Sequence, residues 1–129
     1  MSRELSRILC AEDEADIGTV ARMALEAVGG FTVEVCASGE AALETAPAFA
    51  PDLILLDVMM PGMDGPATLD ALRRRPELAA TPVVFMTAKA LSSEVERYMA
   101  LGVLGVIAKP FDPMTLAARV WDKWDVLRG

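Results

Sequence analysis

Residues 51–65 read PDLILLDVMMPGMDG, and the fold class turns on them. Leu53, Ile54, Leu55 and Leu56 make an unbroken branched apolar run. Such a run, with no alternating polar residue, is a strand covered on both faces, as in a parallel sheet between helices. Pro61-Gly62 forces a turn, and Gly65-Pro66 opens a helix with the proline in its first turn. Asp57 therefore stands at the carboxyl end of a central strand, the edge where open α/β sheets bind their ligands.

Upstream, residues 8–11 form a short apolar strand that runs into Glu12-Asp13-Glu14. Ile17, Val20, Ala21, Ala24 and Val28 follow at helical spacing and stop at Gly29-Gly30, a C-cap signal. Residues 31–35 (FTVEV) alternate apolar and polar, which predicts an edge strand. Ser38 caps a second predicted helix that carries Leu43 and ends near Pro47. Downstream, a third helix covers 66–74, and after a loop at 76–81 a fourth strand covers 82–87 and ends in the Thr87 hydroxyl. Ser93-Glu94-Val95-Glu96 has the form of a capping box for a short helix closed by Gly102. Residues 104–108 give a fifth strand running into Lys109-Pro110, and Asp112-Pro113 start a last helix with Leu116, Val120, Trp124 and Leu127 on one face. Five strands alternating with five helices predict an α/β fold, a doubly wound parallel sheet. The expectation is a single domain over 1–129, with its core at 7–127 and no residues left for a second.

Hydrophobic residues make up 53% of the 129 and charged residues 24%, the balance of a globular chain rather than a disordered one. No apolar run approaches a membrane span, and the opening MSRELSR has no signal-peptide core, so a soluble, cytoplasmic protein without a membrane partner is expected. The net charge of −7 argues against direct nucleic-acid contact, which needs lysine and arginine clusters. The one basic run, Arg73-Arg74-Arg75, falls at a helix C-terminus, where cations favour the dipole. Cys10 and Cys36 fall in strands and read as small buried hydrophobes. There is no histidine, which excludes Ser-His-Asp and Cys-His nucleophiles. With only two cysteines beside that absence, a structural zinc site is excluded as well.

The residues at the strand ends then become informative together. Glu12 and Asp13, Asp57, Thr87 and Lys109 all emerge on one edge of a parallel sheet, around one crevice. Each alone has a plainer reading: a helix cap for Glu12 or Asp13, a strand-end polar group for Thr87, a solvated cation for Lys109. Jointly, three carboxylates that repel one another call for a cation, and an all-oxygen donor set favours a hard one, Mg²⁺ first. With a cation bound, Asp57 can act as a carboxylate nucleophile on phosphorus, with Lys109 and the Thr87 hydroxyl stabilising the transferring group.

The order ED, LLDVMMPGMDG, MTA and KPF resembles the receiver domain of two-component response regulators, over essentially residues 8–127. The resemblance implies a flavodoxin-like sheet of order 2-1-3-4-5. It implies a signalling phosphoacceptor rather than an enzyme, with Asp57 phosphorylated from a phosphohistidine on a sensor histidine kinase or a histidine phosphotransfer protein. Carried over by position, Asp13, Asp57 and the Met59 backbone carbonyl are the direct Mg²⁺ ligands, and Glu12 reaches the metal through water. Thr87 then hydrogen-bonds the phosphoryl group, Lys109 pairs with it, and the Lys109-Pro110 peptide is cis. The closest likeness is to stand-alone chemotaxis-type regulators, acting on a downstream protein target or a fused output domain. The kinase-facing surface is expected at Ala15, Asp16 and Ile17 with the loop after Lys109. A partner or homodimer surface is expected on the fourth helix, fifth strand and fifth helix. Of Trp121 and Trp124, one is expected in the core and the other on the surface. The functional version of that reading sets the exposed one beside Tyr98 and Arg97.

Two positions depart from the family pattern. Glu12 replaces the usual aspartate. Val106 stands where many relatives carry a switching Tyr or Phe, so no aromatic switch is expected, while a Thr87 and loop rearrangement stays open. Met59 and Lys89 resemble positions that tune loss of the phosphoryl group, and neither is an acid or amide, so a long-lived phosphoform is expected. A haloacid dehalogenase-type phosphatase needs a second carboxylate two residues after the nucleophile, where this chain has Met59. An FMN carrier needs a phosphate loop after the first strand, where Glu12-Asp13-Glu14 would repel the phosphate. The remaining alternative is a receiver-like module that works by constitutive contact and is never phosphorylated.

Overall fold

In the computed structural model, which describes residues 4–128, strand and helix alternate along the whole chain. They are β1 (Arg7–Ala11), α1 (Ala15–Met23), β2 (Thr32–Cys36), α2 (Gly39–Phe49) and β3 (Leu53–Asp57), then α3 (Gly65–Arg73), β4 (Val83–Thr87), α4 (Ser92–Met99), β5 (Gly105–Ala108) and α5 (Leu116–Arg128). Neighbouring strands are all parallel and lie in the order β2-β1-β3-β4-β5, a flavodoxin-like sheet. Met1–Arg3, the start of the segment read as lacking a signal-peptide core, and Gly129 lie outside the described residues. No helix among the described residues is long and apolar enough to cross a membrane.

Every residue of β3 is buried, which is why its sequence shows no polar alternation. Side chains on one sheet face, among them Ile8, Cys10, Leu55, Met86 and Ile107, pack under Leu25 and under Leu116, Val120 and Trp124 of α5. Those on the other face, among them Leu9, Ile54, Leu56 and Phe85, pack under α2, α3 and Tyr98 of α4. Each fully buried leucine or isoleucine contributes about 1.5–3 kcal/mol. β2 is the half-wet edge its alternation predicts, with Thr32 exposed and Glu34 half-buried.

Four details differ from the sequence expectations. On α1 the buried residues are Gly18 and Ala21, followed by Ala24 and Leu25, while Val20 and Val28 are exposed. The cause at Val28 is a π-helical turn over Ala24–Val28, which adds a residue to the turn and rotates the face. α2 runs through Pro47 and ends at Ala50 in a left-handed conformation (φ 53°). Pro47 has no N–H to give the Leu43 carbonyl, and the Arg75 guanidinium donates to that oxygen at 3.2 Å. α4 begins at Ser92 with Leu91 at the cap, so the Ser93 capping box does not form. Finally, Leu127 is exposed on the last turn of α5 beside Val126.

The basic run is spent on the fold. Arg73 donates to the Thr81 carbonyl at 2.8 Å, Arg74 pairs with Asp70 on the surface, and Arg75 serves α2. Trp124 is the core tryptophan, and Trp121 lies half-buried with its ring 5.6 Å from Phe31. Tyr98 is buried edge-on against Phe85, in the opposite layer from Trp121. A surface joining Trp121, Tyr98 and Arg97 is therefore not formed.

Cys10 and Cys36 are free thiols, one in each layer. Burial, with the Glu12 charge second, pushes Cys10 up to about 12, and burial raises Cys36 as well. Only the thiolate alkylates. Iodoacetamide at pH 8 is thus expected to leave both cysteines unmodified in the native protein and to label both in urea, read by intact mass.

Candidate functional site

The site is built on backbone that continues the sheet past its strands. Glu12 N–H donates to the Cys36 carbonyl at 2.9 Å, Val58 N–H to Met86 at 2.9 Å, and Lys109 N–H to Thr87 at 2.8 Å. These bonds hold the strand-end residues level on one edge. Lys109-Pro110 is cis, as the resemblance implied.

Lys109 closes the crevice. Its Nζ donates to Glu12 Oε1 at 2.8 Å and lies 3.3 Å from Asp57 Oδ2. The second Glu12 oxygen accepts the Glu14 N–H at 3.1 Å, and Asp57 Oδ1 accepts the Met59 N–H at 3.3 Å. Glu12, Asp57 and Thr87 are buried, whereas Asp13 is exposed. Thr87 Oγ1 accepts the Lys89 N–H at 3.0 Å and reaches the Lys89 carbonyl at 3.5 Å, so its hydroxyl points along its own loop.

These surroundings set the charges. Burial, then the Glu12 carboxylate, raises Asp57 to about 6 against the pull of Lys109. Burial alone would lower Lys109, but the hydrogen bond to Glu12 and the Asp57 charge outweigh it and hold the ammonium above its ordinary value. One carboxylate oxygen each from Glu12, Asp13 and Asp57 lies within 4.8 Å of the others. Three carboxylates at that spacing carry more negative charge than one ammonium offsets. An oxygen-only donor set of this kind fits a hard divalent cation.

Above the carboxylates opens a cavity of about 500 Å³, with Asp57 and Lys109 in its lining beside Ile17, Val20, Met59 and Phe111. The structure thus brings together Glu12, Asp13, Asp57 and Lys109, with Thr87 on the same edge and the Met59 thioether exposed in the cavity wall. Sequence reasoning missed the two backbone N–H groups, of Glu14 and Met59, that orient the carboxylates, because backbone donors leave no residue signature. It also left Phe111 without a role, although the KPF triplet contains it, and placed Val20 in the core.

A doubly wound parallel sheet with a cation-ready acidic crevice at its carboxyl edge defines the class as flavodoxin-like α/β. Residues 8–121 match the family described as the response regulator receiver domain. The chain belongs to that family, the receiver domains of two-component response regulators. It is 37% identical over 116 residues to the phosphate regulon transcriptional regulatory protein PhoB of Rhizobium meliloti, covering 90% of this chain and 51% of that protein. Against the transcriptional activator protein IrlR of Burkholderia pseudomallei the identity is 40% over 114 residues, covering 88% and 48%. The chain spans about half the length of these curated relatives. Among solved structures it is similar to the chemotaxis response regulator CheY4 of Vibrio cholerae, with a TM-score of 0.85 at 28% identity, covering 93% of this chain and 99% of that one.

Proposed function

We propose that this chain, as one receiver unit over residues 7–127, accepts a phosphoryl group on Asp57 from a phosphohistidine of a sensor histidine kinase or histidine phosphotransfer protein, and thereby changes its protein-interaction surface. The observation that carries this reading is Lys109 bridging Glu12 and Asp57 beside a third carboxylate, Asp13, at the end of β3. Asp13, Asp57 and the Met59 carbonyl would hold Mg²⁺ directly, and Glu12 through water. The metal supplies positive charge against the carboxylates and the phosphate oxygens. An Asp57 carboxylate oxygen attacks phosphorus, the P–N bond breaks, and the donor imidazole leaves with its electron pair. Lys109 stays charged throughout and passes from the Asp57 carboxylate to a phosphoryl oxygen. The Thr87 hydroxyl, held to the Lys89 carbonyl only at 3.5 Å, is free to turn toward the same group.

In this reading the domain assists its own phosphorylation and dephosphorylation but is a phosphoacceptor, not an enzyme. Its location is cytoplasmic, where its kinase partner presents phosphohistidine. The donor docks over the cavity beside α1 and the loop after Lys109. Exposed Leu91, Met99 and Leu101 on and around α4 offer a contact for a downstream target, a fused output domain or a second copy across α4, β5 and α5.

Incubation with Mg²⁺ and acetyl phosphate, followed by intact mass, tests the reading. One phosphate increment is expected, and it is absent in Asp57→Asn. No increment in a protein that binds Mg²⁺ would instead favour a constitutive contact module. The same time course reads the lifetime: with Met59 and Lys89 flanking the acceptor, the increment is expected to persist for minutes after donor removal, and decay within seconds contradicts this.

A further inference from the structure

The loop at residues 58–64 leaves β3 and returns at α3, closed by the Gly65 N–H on the Val58 carbonyl at 2.9 Å. Its inner side has no slack. A Cβ on Gly65 would stand 2.8 Å from Val58 Cα and 2.9 Å from the Asp57 carbonyl oxygen. At the far end Asp64 caps α3 by accepting the Ala67 N–H at 2.9 Å, and the buried Thr68 hydroxyl donates to the Asp64 carbonyl at 2.7 Å.

The outer wall of this loop is the N-terminus of α2. A Cβ on Gly39 would fall 2.1 Å from Thr68 Oγ1 and 3.1 Å from both Cγ and the carbonyl oxygen of Met63. That is the tightest approach at any glycine described, and part of it is to backbone, which cannot rotate away. The Ser38 hydroxyl, accepting the Ala41 N–H at 3.0 Å, fixes where α2 begins. The loop is therefore clamped between β3 and a helix end whose first residue, Gly39, carries no side chain.

We propose that Gly39 is a positioning residue for the cation site: by letting α2 seat directly on Met63 and Thr68, it holds the 58–64 loop so that the Met59 backbone stays over Asp57. This rests on the reading of Asp13, Asp57 and the Met59 carbonyl as Mg²⁺ ligands. Gly39 itself touches none of them. Mg²⁺ demands near-ideal octahedral geometry, so a small displacement of one ligand carbonyl weakens binding even where the fold survives.

Calorimetric titration of Mg²⁺ into the full chain tests this. Gly39→Ala is expected to weaken Mg²⁺ binding about tenfold, the loss typical when a ligand's support is disturbed. Adding Thr68→Ala to that variant removes the hardest conflict and is expected to recover most of the affinity. Met63→Ala loosens the same contact without added bulk and is expected to give a smaller loss, so the test stands even where Gly39→Ala folds poorly. A wild-type chain that does not bind Mg²⁺ overturns the metal reading itself. Binding in the wild type with unchanged affinity in Gly39→Ala and Met63→Ala overturns the role of Gly39 alone, as does a double variant that recovers nothing.

Discussion

Without metal at pH 7, Asp57→Asn is expected to be more stable than the native chain by on the order of 1–2 kcal/mol, although it loses the proposed phosphoacceptor. Asp57 is only 3% exposed and sits beside the buried Glu12. Burial and that neighbouring charge raise it from 3.8 to about 6, so the folded protein favours its protonated form. A carboxyl raised in this way contributes stability that is fully present below pH 3.8 and is lost as the pH climbs through about 6. The native chain therefore loses stability from this group between about pH 4 and pH 6. Asparagine has nothing to ionise and still offers an oxygen to the Met59 N–H. The open cavity above the site lets water screen part of the effect, which places the gain below the full linkage value. Urea unfolding at pH 4 and pH 7 reads it directly: the two proteins should coincide at the lower pH and separate at the higher. Added Mg²⁺ should reverse the order at pH 7, because it stabilises the protein whose site it fills. Equal stability of both proteins at pH 7 without metal would mean that Asp57 is not strained by its neighbours.

The crevice around Asp57 was legible because each feature that defines it is local. Four branched residues buried on both faces show no alternation, and a parallel sheet puts every strand end on one edge, so Glu12, Asp13, Asp57, Thr87 and Lys109 could be grouped before any coordinates. What the sequence hid depends on partners far along the chain or on backbone geometry. The π-helical turn after α1 leaves the apolar spacing unchanged while rotating Val28 into solvent. Pro47 looks like a helix end, yet α2 continues because Arg75 satisfies the Leu43 carbonyl from 32 residues away. Tyr98 and Trp121 both look like surface aromatics, but Phe85 takes one and Phe31 the other, on opposite sides of the sheet. Gly39 reads as an ordinary residue after a helix cap, and only its contact with Thr68 and Met63 reveals why no side chain fits.

Lys109→Met is expected to have the largest effect on the native site. It should destabilise the metal-free protein by about 3 kcal/mol at pH 7. It should also slow phosphorylation by acetyl phosphate by roughly a hundredfold or more. The Lys109 side chain is 13% exposed and spans two carboxylates, one of them fully buried: Glu12 at 2.8 Å and Asp57 at 3.3 Å. Methionine keeps most of the stem's apolar packing and removes only the charge, so the loss reports the ammonium rather than a cavity. With the ammonium gone Asp57 takes up a proton more readily, and the deficit should shrink as the pH is lowered toward 4. Mg²⁺ should restore part of the stability by returning positive charge to the carboxylates, but not the phosphorylation rate, since in the proposed transfer it does not replace the ammonium that follows the phosphoryl group. The pair can be separated from the rest of the site by a double-variant cycle. In the Asp57→Asn background only Glu12 still depends on the ammonium, so Lys109→Met should cost about 1–2 kcal/mol less there. An equal cost in both backgrounds would place the work of Lys109 on Glu12 alone and remove it from Asp57.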